Sequence, residues 1–155
     1  MKKKLPYVFP KPYWEVLKLD QMNRQQWEDL CDHCGRCCLN KLRDEDTNVV
    51  EYTEVACSLL DIHTGQCSDY CHRAIRVPDC IQLTPALLNE IDWLPRTCAY
   101  RLIHEGKSLP FWHPLVSGTM KTVYQQNISV KNRIIRESEA GDLENHVVYW
   151  RCLEI

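Results

Sequence analysis

The stretch Cys31-Asp32-His33-Cys34-Gly35-Arg36-Cys37-Cys38 places four thiols within eight residues. No apolar core asks for that density of sulfur in one loop. Two cysteines separated by two residues can both turn inward onto one metal ion. Three in series, Cys31, Cys34 and Cys37, have the spacing of a run that wraps an iron–sulfur cluster, where a distant cysteine supplies the fourth thiolate. Cys38 is awkward for that centre, because adjacent side chains point to different sides of the backbone. It is better placed to reach a second centre, or to bridge.

Working outward, the other informative cysteines are Cys57, Cys67, Cys80 and Cys98. Residues 49–56, VVEYTEVA, are rich in β-branched and aromatic side chains and predict a strand. The segment Cys57–Cys67 then predicts a hairpin turning near Thr64-Gly65, which would bring its two end cysteines together. Thr97 predicts a helix cap, with Cys98 in the first turn, where free backbone N–H groups and the dipole favour a thiolate. Setting aside Cys71 and Cys152 leaves eight of the ten cysteines, which is two sets of four. Each four-thiolate centre, whether zinc or a cluster core, carries a charge of about −2. Arg36, Lys41, Arg43, Arg73 and Arg101 lie near the sulfurs in sequence and could offset that charge, or could simply be surface residues. One centre with four spare thiols is the alternative arrangement.

The rest of the chain predicts a small α+β domain, mostly helical and irregular, nucleated by metal and carrying one β-hairpin. Residues 1–12 read as an extended N-terminal arm stiffened by Pro6, Pro10 and Pro12, and residues 13–155 as a single cysteine-rich domain. Asn23 and Gln26 form a capping-box pair ahead of a helix over 24–31. Short helices are also predicted over 13–19, 70–75, 84–91 and 97–106, with strand over 127–136. Trp14, Trp27, Trp93 and Trp112 read as core around the metal region, and His113, between Trp112 and Pro114, as a packed, hydrogen-bonded histidine. His33 points from the ligand loop or faces water.

A formal net charge of −2 argues against a general nucleic-acid binder. No apolar run serves as a signal sequence or reaches the length needed to span a bilayer, so the expectation is a cytoplasmic protein with no membrane partner. In a reducing compartment many cysteines are ligands or catalytic groups rather than disulfides. No phosphate loop, dinucleotide fingerprint, nucleophile elbow or H-E-x-x-H signature is present. Any catalysis would have to happen at the metal.

The C-x-x-C-x-x-C-C pattern of Cys31, Cys34, Cys37 and Cys38, with the later cysteines, resembles the CxxCxxCC family of small bacterial zinc- or iron-chelating proteins. The chain is most similar to the uncharacterised YcgN-like branch. That resemblance runs through Trp27-Glu28-x-Leu30-Cys31, Cys37-Cys38-x-x-Lys41-Leu42, Asp44-Glu45-Asp46-Thr47, Val55-Ala56-Cys57, Pro78-Asp79-Cys80-Ile81, Trp93-Leu94-Pro95-x-Thr97-Cys98-Ala99-Tyr100-Arg101 and Trp112-His113-Pro114-Leu115. It implies metal chelation by Cys31, Cys34, Cys37, Cys38, Cys57, Cys67, Cys80 and Cys98. One departure stands out: after Tyr70 the family pattern has an acid, with an arginine two residues beyond, whereas here Cys71 replaces the acid and Arg73 remains. Some relatives are iron–sulfur enzymes, but this chain has no room for a recognisable methyl-donor domain.

The first expectation is thus an iron–sulfur or iron centre, one or two in number, with a redox, electron-transfer or metal-handling role and an unidentified protein or redox partner. The rivals are a structural zinc module for protein–protein interaction and a metalloenzyme with an open coordination site.

Overall fold

Asn23 does what its side chain dictates at a helix start. Its Oδ1 accepts the Gln26 N–H at 2.9 Å, and Gln26 Oε1 accepts the Asn23 N–H at 3.0 Å. The predicted capping box is therefore made, and it opens a helix that delivers the chain straight into the cysteine loop. The computed structural model describes residues 10–152; most of the predicted N-terminal arm lies outside them.

In chain order come helices α1 (Tyr13–Val16) and α2 (Arg24–Asp29), strands β1 (Leu39–Arg43) and β2 (Val50–Ala56), and helices α3 (Arg73–Arg76), α4 (Ala99–His104), α5 (Pro114–Ser117) and α6 (Lys121–Gln125). Strand β3 (Ile135–Arg136) and helix α7 (Glu137–Ala140) close the series. The class is α+β, as expected. "Mostly helical" overstates it, because the α-helices among the described residues run only four to six residues each.

The sheet has the order β1-β2-β3, with β2 in the middle. β2 matches the predicted strand. It pairs antiparallel with β1, from Leu39↔Ala56 to Arg43↔Val50, across an irregularity between Leu39 and Lys41. The two residues of β3 lie parallel to its far end, at Val55↔Ile135 and Ala56↔Arg136. The regular hairpin of this fold is thus β1–β2. The predicted 57–67 hairpin is reduced to a tight turn with a single Leu60↔Cys67 bridge. Asp61 organises that turn: its Oδ1 accepts the N–H groups of His63 and Thr64 at 2.9 and 2.7 Å. A side chain that satisfies two backbone donors competes with the strand ladder, which is why pairing stops there. The predicted 127–136 strand is likewise mostly irregular, and the 84–91 helix is a turn ending in a single 3₁₀ turn.

Three apolar clusters make up the core. One gathers Leu19, Leu30, Leu88, Leu94, Ala99 and Tyr100, with Trp14, Trp27 and Trp93 half-buried against it. A second joins Leu39, Ala56, Leu60, Val130 and Ile134 under the sheet. A third holds Cys34, Trp112, Val123 and Ile128. Cys31 and Cys98 border the first, Cys38 and Cys57 the second, and Cys34 belongs to the third. The cysteine loop therefore lies where three small cores meet. No helix among the described residues is long and apolar enough to cross a membrane.

Candidate metal centre

The loop is held from beneath. Leu30, the fully buried last residue of the α2 end, gives its carbonyl to Nε2 of His113 at 2.9 Å. Nδ1 of His113 accepts the Leu115 N–H at 3.1 Å. These two bonds fix the Nε2–H tautomer. Burial pushes the His113 pKa below its ordinary value, so the ring stays neutral. With both nitrogens engaged, His113 is a strut and not a ligand, in line with its sequence reading. Trp112, fully buried beside it, packs against Cys34 as expected of core around the cysteines.

Backbone geometry then turns the chain sharply. His33 and Gly35 both have positive φ, at 53° and 79°. At Gly35 the turn approaches its neighbours so closely that a Cβ would stand 2.6 Å from Val130 Cγ2 and 2.9 Å from the Gly65 carbonyl oxygen. The Cys34 carbonyl accepts the Val130 N–H at 2.9 Å. Arg36, 1 % exposed, gives Nε to the Ile128 carbonyl at 2.8 Å and Nη2 to the Asn127 carbonyl at 3.3 Å. It is not a surface residue; it ties the loop to Asn127 and Ile128, and its charge and backbone N–H oppose the burial of the Cys34 thiol.

The sulfurs and their nearest polar groups follow from this frame. Cys31 Sγ accepts the His33 N–H at 3.4 Å. Asp32, 4 % exposed, accepts the Cys34 N–H on Oδ1 at 3.1 Å, and among the described residues its buried Oδ2 has no hydrogen-bond partner. The sulfurs of Cys37 and Cys38 are 4.0 Å apart. The Cys38 carbonyl accepts the Cys57 N–H at 2.9 Å, extending the β1–β2 ladder by one rung, so the second cysteine group starts directly across from the first. Cys67 is anchored by its bridge to Leu60, and Cys98 is the residue that caps α4 rather than a member of its first turn.

The charges acting on each thiol show which groups are neighbours. Cys31 is pushed well up by burial, then by Cys37, Asp32 and Cys98. Cys34 is pushed well up by burial, then by Asp32 and Cys37. Burial raises Cys98 to about 12, with backbone N–H groups of α4 opposing and Cys37 and Asp32 adding to the rise. Cys37 is pulled down to about 7, chiefly by its contact with Cys38, with Lys41 helping against burial. Cys38 is raised by that same contact, then by burial, Cys37 and Cys57. Cys80, raised by burial, feels Arg73, Cys57, Cys67 and Cys37. Asp32 recurs among the charges acting on Cys31, Cys34, Cys37 and Cys98, and Cys57 among those acting on Cys38 and Cys80, while Cys37 acts on both sets.

Neighbourhood is not a finished cage. Among the described residues, no group of three or more His, Cys, Asp or Glu side chains is poised to hold a metal ion. Neutral buried thiols pack as small hydrophobes; as ligands they must deprotonate and turn their sulfurs inward. A cysteine does this by changing χ1 between staggered wells, without moving its backbone. The donor set itself is soft and all sulfur, which suits zinc, iron or an iron–sulfur core.

The cations divide. Lys41 Nζ donates to the carbonyls of Cys37 and Leu39 at 2.8 and 2.6 Å and sits 5.1 and 4.8 Å from the ring centres of Tyr52 and Trp93. It is thus held beside the Cys37–Cys38 junction; burial pulls its pKa below the usual lysine value, with Cys37, Cys38 and Cys57 opposing. Arg73, 3.7 Å over the Tyr70 ring, lies near Cys80. Arg43 pairs with Asp92 at 2.6 Å, and Arg101 with Glu105 at 2.7 Å, so these two are engaged with carboxylates. Cys71 and Cys152 are exposed.

Sequence reasoning singled out Arg36 without its burial and missed Asp32, buried in the loop. The signal for Asp32 was available: an aspartate two residues ahead of a turn N–H is a natural Asx turn.

Comparison with known proteins agrees with the cysteine pattern. Residues 30–99 match the CxxCxxCC family model, described as a "Putative zinc- or iron-chelating domain". A UPF0260 protein of Gluconacetobacter diazotrophicus is 56% identical over 139 residues, covering 90% of this chain and 87% of that protein. One from Gluconobacter oxydans is 58% identical over 139 residues, covering 90% and 85%. A third, from Pseudomonas putida, is 51% identical over 140 residues, covering 89% and 94%. No solved structure matches. With identity this high over most of both partners, the chain belongs to the UPF0260 family.

Proposed function

We propose that this is a cytoplasmic protein holding one or two iron–sulfur or iron centres through Cys31, Cys34, Cys37, Cys38, Cys57, Cys67, Cys80 and Cys98. Its role is redox, electron transfer or metal handling, with an unidentified protein or redox partner. The observation that supports this most is that the cysteines of the loop are free thiols lying where three small cores meet, with Cys57 directly across the strand ladder from Cys38. A bound cluster would supply one-electron chemistry. The chain's own part is to supply thiolates, exclude water around Cys34 with Trp112, and place Lys41 against the accumulated negative charge.

A structural zinc module is the second reading. Its support is the shortness of the helices, since a metal would then supply the cross-links that so little regular structure lacks. A catalytic version would need access to the metal, and a cavity of about 330 Å³ lined by Cys57, Ser58, Leu60, Arg136, Glu137 and Ser138 opens at Cys57.

Anaerobic purification tests the first reading against the second. Brown protein absorbing broadly near ~400 nm, with acid-labile sulfide, is the expected result for thiolate-bound clusters. Colourless protein with stoichiometric zinc would overturn it.

A further inference from the structure

Asp32 is an unusual residue to bury among thiols. It is only 4 % exposed, and its Oδ1 is committed to the Cys34 N–H at 3.1 Å. Its Oδ2 is buried without a partner among the described residues. The guanidinium closest in sequence, Arg36, is engaged with the Ile128 and Asn127 carbonyls. The carboxylate sits in the loop between Cys31, whose Sγ accepts the His33 N–H, and Cys34, whose N–H it binds. A bare carboxylate oxygen costs free energy when buried, and thiolates around it would only add repulsion. A cation at the same place reverses both effects.

We propose that Asp32 Oδ2 is an oxygen ligand to the metal gripped by the Cys31–Cys38 loop, making the first centre a mixed sulfur–oxygen site. This rests on the metal-binding reading above. The Asx turn explains why Oδ2 is available: by fixing Oδ1 on the Cys34 N–H, it sets the carboxylate's orientation, and the second oxygen is left for the ion. A carboxylate is a harder ligand than a thiolate, so one oxygen would distinguish this centre from the all-sulfur set of Cys38, Cys57, Cys67 and Cys80.

Asp32→Asn separates the roles, because the amide oxygen still accepts the Cys34 N–H while the anionic oxygen is lost. Asp32→Ala removes both. Full-length protein is titrated with zinc against a chromophoric chelator, and with cobalt(II) as a spectroscopic probe. The expected result is at least a tenfold loss of zinc affinity at one site in Asp32→Asn, with a shift of the cobalt bands, while the circular dichroism of the zinc-loaded protein is retained. Unchanged affinity and spectrum in Asp32→Asn, with a loss confined to Asp32→Ala, would overturn the assignment and leave a turn residue. If Asp32→Asn does not fold, zinc-edge X-ray absorption of the wild type decides: an oxygen neighbour supports the ligand and sulfur alone overturns it. A wild type that takes up neither metal overturns the metal reading itself, and the assignment with it.

Discussion

Stripping the protein with a strong chelator under reducing conditions is expected to abolish most of its helical circular-dichroism signal. Isolated helices shorter than about 12–15 residues are marginal in water, and the helices here have four to six. They depend on what they pack against, and they pack against three small clusters rather than one large core. The cysteine loop touches all three. Metal bonds from that loop to Cys57, Cys67, Cys80 and Cys98 would join the clusters. A structural metal of this kind contributes roughly 10–16 kcal/mol of apparent binding free energy in small zinc domains, comparable to the whole stability of an ordinary domain. Cys34→Ala is the genetic equivalent. As a small core residue, its truncation to alanine would cost on the order of 1 kcal/mol; as a ligand, it removes metal as well. Native circular dichroism and a cooperative melt in the presence of chelator would contradict the expectation.

The second large effect belongs to Gly35→Ala. A left-handed backbone costs a non-glycine residue about 1–2 kcal/mol, and overpacking commonly adds ~1–3 kcal/mol. Val130 Cγ2, 2.6 Å from the new methyl, can be relieved by a side-chain shift, but the Gly65 carbonyl at 2.9 Å is backbone. Relief there means separating the cysteine loop from the turn that carries Cys67. Gly35→Ala should therefore lose stability and metal affinity together, read by thermal melts and metal titration. Gly118→Ala is the control: its φ is 77°, with nothing within 4 Å of the added carbon, so only the backbone cost applies. Equal losses for the two variants would show that the close approach is unimportant.

The parts of this fold that were legible in the sequence are those governed by neighbouring residues. Asn23 and Gln26 satisfy each other's backbone across one turn, and β2 is written in β-branched residues. Position β1 was not legible: Leu-Asn-Lys-Leu-Arg has no strand pattern of its own and is drawn into the sheet by β2. The two-residue β3 is likewise a consequence of tertiary contact. Helices α5 and α6 were hidden by the Pro-rich loop ahead of them, although His113 accepting the Leu115 N–H starts the first. At the site, spacing alone suggested which cysteines to group. It gave no hint that Arg36 is buried on backbone carbonyls 91 and 92 residues away in sequence or that Lys41 lies close to two aromatic rings, because both depend on long-range packing.

The central claim, that these cysteines grip an inorganic centre, is tested most directly at Cys37. It is the exposed thiol of the loop, so as a free group it would alkylate as readily as Cys71 and Cys152. Brief iodoacetamide labelling of the protein as isolated, read by peptide mass spectrometry, should modify Cys71 and Cys152 while sparing Cys37 until chelator is added. Prompt labelling of Cys37 alongside those two, with no change on chelation, would contradict the account.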